Sequence, residues 1–196
     1  RDKGHYEAIR DKAYIYFLKN NFDKAKKYID NISKLEEKDF FAYNIKGLIY
    51  FKNSNFHEAK NYFEQAIKIN SKYVDSYNNL GICLLEIEKL NEAYTVFKDA
   101  HKIDSDNVKT IINLGNVLSL QDKILKAIKI YNKALDLDPN NQEILSNIAI
   151  CYCRENKEKE AKIYYDKAIK INPYDYKLMY AYCTLQLKLN NFSSSW

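Results

Sequence analysis

Residues 74–103 read VDSYNNLGICLLEIEKLNEAYTVFKDAHKI, and the reading of this stretch decides the fold. Apolar residues recur at three- and four-residue spacing up to Ile87, the pattern breaks at Glu88–Asn91, and it resumes from Ala93, which predicts two amphipathic helices joined by a tight turn. Gly81 stands in the middle of the first helix, where glycine costs about 1 kcal/mol relative to alanine. Its presence therefore signals a close approach of something else to the backbone. Working outward, three of the four glycines, Gly47, Gly81 and Gly115, are evenly spaced, and the same interval separates the only two prolines, Pro139 and Pro173. The glycine register continues through small residues at Ala13, Ala149 and Cys183. A second small series follows at Ala25, Ala59, Ala93, Ala127 and Ala161, and a third at Ala66, Ala100, Ala134 and Ala168. Three series in step imply one helix pair repeated along the chain.

Composition agrees. Glycine and proline are scarce, with 4 and 2 in 196 residues, which argues for ordered helices and against a strand-and-turn or disordered chain. No apolar run approaches the roughly 20 residues of a membrane span, so membrane insertion is not expected. The chain opens on Arg1, which reads as a fragment or a processed form, and the tail Ser193–Trp196 reads as linker. Cys151 and Cys153 are two apart, a spacing that sends helical side chains to nearly opposite sides, so they cannot jointly hold a metal. Together with Cys83 and Cys183 they read as free thiols, which favours a reducing, cytoplasmic compartment. Lysine outnumbers arginine 28 to 3, whereas nucleic-acid readers rely on arginine forks; the lysines read as a solvated face and no nucleic-acid partner is expected.

The 34-residue pattern of an aromatic or aliphatic residue, Leu-Gly, an aromatic, then Ala-x3-Phe and Pro resembles the tetratricopeptide repeat. Tyr77, Leu80, Gly81, Leu84, Ala93, Phe97 and Ala100 carry it in one unit. Ile111, Leu114, Gly115, Leu118, Ala127, Tyr131, Ala134 and Pro139 carry it in the next. Tyr43, Gly47, Tyr50, Ala59, Phe63 and Ala66 match in the unit before, Ile9, Ala13, Tyr16, Ala25 and Ile29 more weakly in the first, and Leu145, Ala149, Tyr152, Ala161, Tyr165, Ala168 and Pro173 in the fifth. The resemblance implies an all-α, right-handed α-solenoid of helix-turn-helix repeats. The expected repeats are 6–39, 40–73, 74–107, 108–141 and 142–175, with a capping helix at 176–189, all in a single array over 1–196. Asp39, Asp75 and Asn141 are expected near helix starts as caps.

In this family the first helix of each pair lines a concave groove. Two residues before the glycine register stand Asn79, Asn113 and Asn147, rungs in three consecutive repeats. A carboxamide both donates and accepts, so it can pair with a peptide backbone regardless of that peptide's side chains. The alternative is that each amide bonds a neighbouring backbone or water. Asn78 and Asn116 are expected to join the middle of the groove. Its N-terminal end gathers Tyr14, Phe17, Leu18, Phe41, Ile45, Leu48 and Phe51, an apolar surface that packs either against a ligand or as core. Its C-terminal end carries Arg154, Lys177, Tyr180 and Lys188, which favours an acidic group or a free carboxylate. The clamp that reads acidic chaperone C-termini in this family is matched by Asn116, Asn147 and Lys177, but Ile112 and Ala181 stand where it needs cations, which argues against that specificity.

No catalytic constellation is expected: His5, His57 and His101 are scattered, and there is no phosphate loop or nucleophile elbow. No cofactor or metal is implied. The favoured reading is a protein-interaction module that holds an extended or helical peptide. The alternatives are a scaffold subunit that self-associates through its end helices, or the substrate-recruiting arm of a larger enzyme.

Overall fold

The computed structural model describes the backbone of residues 3–35 and 39–193, with side chains described at 7–31 and 39–189. The tail residues 194–196 lie outside the described residues. Among those described, every regular element is a helix, and ten helices form five consecutive pairs. The pairs are α1 (Lys3–Leu18) with α2 (Phe22–Leu35), α3 (Phe40–Lys52) with α4 (Phe56–Ile69), and α5 (Val74–Glu86) with α6 (Leu90–Ile103). Then come α7 (Val108–Leu120) with α8 (Ile124–Leu137), α9 (Gln142–Arg154) with α10 (Glu158–Ile171), and α11 (Tyr176–Ser193). The expected all-α helical-repeat fold is the observed one. The chain divides into two compact units, Arg1–Asp104 and Ser105–Trp196.

The glycine register does what its cost required. A Cβ built on Gly47 would lie 2.5 Å from Phe63 Cε1, one on Gly81 2.5 Å from Phe97 Cζ, and one on Gly115 2.7 Å from Tyr131 Cδ1. Each ring belongs to the second helix of the same pair and is buried. The glycine is thus a seat for an aromatic ring. The two alanine series are wholly buried at all nine positions, which lets the paired helices approach closely.

The turn between paired helices uses a different device. Asn20, Ser54, Glu88, Asp122 and Asn156 all have left-handed backbone, with φ between 55° and 60°, and they too recur once in every helix pair at the interval of the glycines. In the central pair the Glu88 amide donates to the Leu85 carbonyl (3.0 Å) and the Lys89 amide to the Leu84 carbonyl (2.8 Å). This closure satisfies carbonyls that a helix end leaves orphaned. Glycine ordinarily fills such a position, yet none does here, so the sequence pattern did not mark it.

Helix starts follow expectation in part. Asp39 accepts from the amides of Phe41 (2.7 Å) and Ala42 (3.1 Å), and Asn141 from that of Ile144 (3.2 Å). Asp75 lies inside the first turn of α5 and is not its cap; Tyr73 holds that place without a side-chain bond. Asn107 and Asp175 are caps that the sequence reading passed over, accepting from Thr110 and from Lys177 and Leu178. All four cysteines are free thiols. Cys83 is buried, donates to the Phe56 carbonyl at 3.0 Å, and burial pushes its thiol up to about 11.

Candidate functional site

The first helices carry the polar side chains that the repeat core does not need, and their geometry is clearest one unit at a time. In the first unit Asn44 of α3 is buried, with its Oδ1 accepting from Ser76 Oγ at 3.2 Å and from Asn79 Nδ2 at 3.0 Å, both on α5. In the second unit Asn116 Oδ1 of α7 accepts from Tyr131 OH of α8 at 2.6 Å and from Asn147 Nδ2 of α9 at 3.1 Å. Asn79 and Asn147 are half-buried. Each is therefore anchored by one amide hydrogen to the preceding first helix, a bond that fixes the plane of the carboxamide. Asn113, 9% exposed, is more enclosed than either.

Asn78 does not belong to a groove. It is 0% exposed, and its register explains this: Asn44, one repeat earlier, and Ile112, one repeat later, are buried as well. The position three before the glycine lies in a seam, as Asn44 shows by bonding the next first helix. Ile45 is likewise core, at 0% exposed. The recurrence of asparagine at 44 and 78 was visible in the sequence, and Asn44 is the functional-looking residue that reading missed.

At the N-terminal end the structure brings Tyr14 and Phe41 together edge to face at 5.6 Å, with Phe17 stacked on Tyr14 at 6.5 Å. Arg10 places its guanidinium 5.3 Å from the Phe41 ring centre. Tyr73, which the sequence reading left out, joins the cluster at 5.0 Å from Phe40 and 6.4 Å from Phe41. Burial and then the neighbouring Asp75 push the Tyr73 phenol up to about 12. Phe51 packs against Phe56 at 5.2 Å, and Leu48 is half-buried. Tyr14 and Leu18 remain 39% and 60% exposed, so this end is half core and half available surface.

At the C-terminal end the expectation for Arg154 changes. Its guanidinium donates to the Ser119 carbonyl (2.7 Å), to Ser119 Oγ (2.8 Å) and to Asp122 Oδ1 (2.9 Å), bracing the α7–α8 turn. A group spent on three acceptors of its own chain is not held out for a ligand's carboxylate. Lys177 and Tyr180 on α11 are exposed, Tyr180 at 76%. Among the described residues no three His, Cys, Asp or Glu side chains gather as a metal site, and no helix is long and apolar enough to cross a membrane.

The tetratricopeptide repeat pattern matches residues 40–73 and again 62–95, and the pattern described as the Psidin N-terminal TPR repeats region matches 81–195, more than half of the chain. The chain is a tetratricopeptide-repeat protein. Among solved structures, this tetratricopeptide-repeat chain is similar to YrrB, described as a TPR protein with an unusual peptide-binding site. The identity is 22% over 86% of this chain and 87% of that one, with a TM-score of 0.70. TTC0263 of Thermus thermophilus is 20% identical over 93% and 99%, with a TM-score of 0.76. Pseudomonas aeruginosa pilF is 18% identical over 97% and 93%, with a TM-score of 0.78. These likenesses show the fold. No curated protein matches the chain closely enough to stand as a relative.

Proposed function

We propose that this tetratricopeptide-repeat protein is an interaction module whose two units each bind a peptide segment of a protein partner along their first helices. The contacts are Asn79 in the first unit and Asn113 and Asn147 in the second. The observation that carries the reading is the pair of bonds from Asn79 to Asn44 and from Asn147 to Asn116. Each leaves the carboxamide with its acceptor oxygen and one amide hydrogen, already oriented, so little side-chain entropy is lost when a peptide N–H and C=O arrive. The peptide-binding description of YrrB supports the same reading by likeness of fold. In the first unit Tyr14, Phe41, Leu48 and Phe51 would take an apolar segment, and in the second Lys177 with Tyr180 a more polar one.

The test is capture of a partner by the wild-type chain and by the variant Asn79→Ala/Asn113→Ala/Asn147→Ala. Helicity should be retained, because Asn44 and Asn116 keep Ser76 and Tyr131 as donors. At about 1 kcal/mol per hydrogen bond the variant should bind at least about tenfold more weakly; unchanged affinity overturns the reading. One observation favours self-association as the second reading: Tyr176, Tyr180 and Leu187 of α11 are 76%, 76% and 63% exposed. Light scattering separates the two, since a peptide receptor keeps a constant mass on dilution.

A further inference from the structure

In the residue just before the glycine register, the third, fourth and fifth repeats carry Leu80, Leu114 and Ile148, all buried. The second repeat carries Lys46. Its side chain is 19% exposed, with the ammonium 3.4 Å from an Asp30 carboxylate oxygen on α2 and 5.9 Å from the Tyr62 ring centre on α4. Stability alone does not account for this choice. A pair whose carboxylate is half exposed contributes only about 0–1 kcal/mol, less than the roughly 1.5–3 kcal/mol that burying a leucine there would.

Beside Lys46 lies a cleft of about 70 Å³, bordered also by Lys26, Asp30, Tyr50, Asn53 and Tyr62. A water needs only about 10–15 Å³ on this measure, so the cleft has room for a group of several heavy atoms. Ile49 completes the lining; Lys46 is already paired with Asp30, so the uncompensated charge is that of Lys26, and two phenols and a carboxamide add polar groups. Tyr50 and Tyr62 stack at 5.1 Å. Burial, followed by the influence of Tyr50, pushes the Tyr62 phenol up from its ordinary value, which is itself well above neutral pH. Donors in excess, compact volume and positive charge are the features that recognise an oxyanion.

We propose that this cleft binds a compact oxyanion of phosphoryl size, held between Lys26 and Lys46 with Tyr50 and Asn53 as further donors. The site uses none of the asparagine rungs, so it stands or falls independently of the peptide reading. Two sources share this chemistry, a free phosphate and a phosphorylated side chain on a partner.

The experiment is an NMR titration of the whole chain with inorganic phosphate and, separately, with a short phosphotyrosine peptide, using chloride at matched ionic strength as control. Saturable shifts are expected at Lys46, Tyr50 and Asn53. Tighter saturation by phosphate identifies the free ion as the source, and by the peptide a modified partner. Lys26→Ala should weaken binding about tenfold, the scale of one charge-assisted bond. Lys46→Leu, which installs the residue of the next two repeats, should abolish binding with no loss of Tm, and Tyr50→Phe should weaken it with the fold intact. Shifts matched by chloride, no saturation by either phosphate probe, or binding that survives Lys46→Leu would overturn the proposal.

Discussion

Replacing Gly81 by alanine tests whether the glycine register exists to seat a ring. The new Cβ would sit 2.5 Å from Cζ and 2.8 Å from Cδ1 of Phe97, whose side chain is fully buried and can yield only by displacing its neighbours. Overpacking of this kind costs about 1–3 kcal/mol, offset by the roughly 1 kcal/mol that alanine gains over glycine within a helix. The net expectation is a loss of about 0–2 kcal/mol. In the fifth repeat Ala149 occupies the glycine register and Tyr165 the ring position, both buried, so a ring can be reseated and the single variant is not diagnostic. The coupling between the two positions is diagnostic. Phe97→Leu alone should cost roughly 1–2 kcal/mol for the lost ring carbons. Combined with Gly81→Ala the cost should rise little, because the new methyl occupies space the ring has left. The first repeat already uses such a pair, Ala13 with Ile29, both 0% exposed. A double-mutant cycle from urea denaturation should therefore give a favourable coupling of about 1 kcal/mol or more. Because two compact units need not unfold together, amide exchange within α5 and α6 should report the same energy. Additivity within about 0.5 kcal/mol would refute the seat.

Two further outcomes follow from backbone and titration. Glu88 holds a left-handed φ of 60° at a turn where Asn20 and Asn156 serve in the first and fifth pairs, and asparagine visits this region more readily. Glu88→Asn should raise stability by about 0.5 kcal/mol, or about 1–2 °C in Tm for a chain of this size; a lowered Tm in differential scanning calorimetry would contradict this. Tyr73 has a folded-state pKa raised to about 12, against roughly 10 for an unfolded tyrosine. A raised pKa means that its contribution is full below the unfolded value and is lost as pH climbs through the folded one, so stability should fall between about pH 10 and 12. Tyr73→Phe should flatten that fall in an alkaline denaturation series, and an unchanged slope would show that the phenol does not titrate on unfolding.

Asn78, Asn79 and Arg154 mark where helical spacing stops being informative. Spacing correctly set Asn79 apart from Gly81, yet it counted Asn78 as groove when that side chain is wholly buried. The partner of Asn79 was equally out of reach of that spacing, since its bond to Asn44 comes from 35 residues away. Arg154 read as a free cation because its three acceptors, on Ser119 and Asp122, lie 32 to 35 residues earlier. The aromatic end divides in the same way, Ile45 going to the core while Tyr14 and Leu18 stay partly in water.

Periodicity is a property of a continuous segment, so the amino-acid order alone determined the helix pairs, the repeat register, the small-residue series and a close approach at the glycine. It could do so because small residues at fixed spacing leave few ways for two adjacent helices to meet. What only the tertiary structure decided is which polar group finds a partner, since those partners stand on the next or preceding helix pair and their reach depends on how the pairs stack. The left-handed turn residues show the same limit from the other side: their backbone is imposed by the closing of each pair, and residues as unlike as Glu88 and Ser54 accept it.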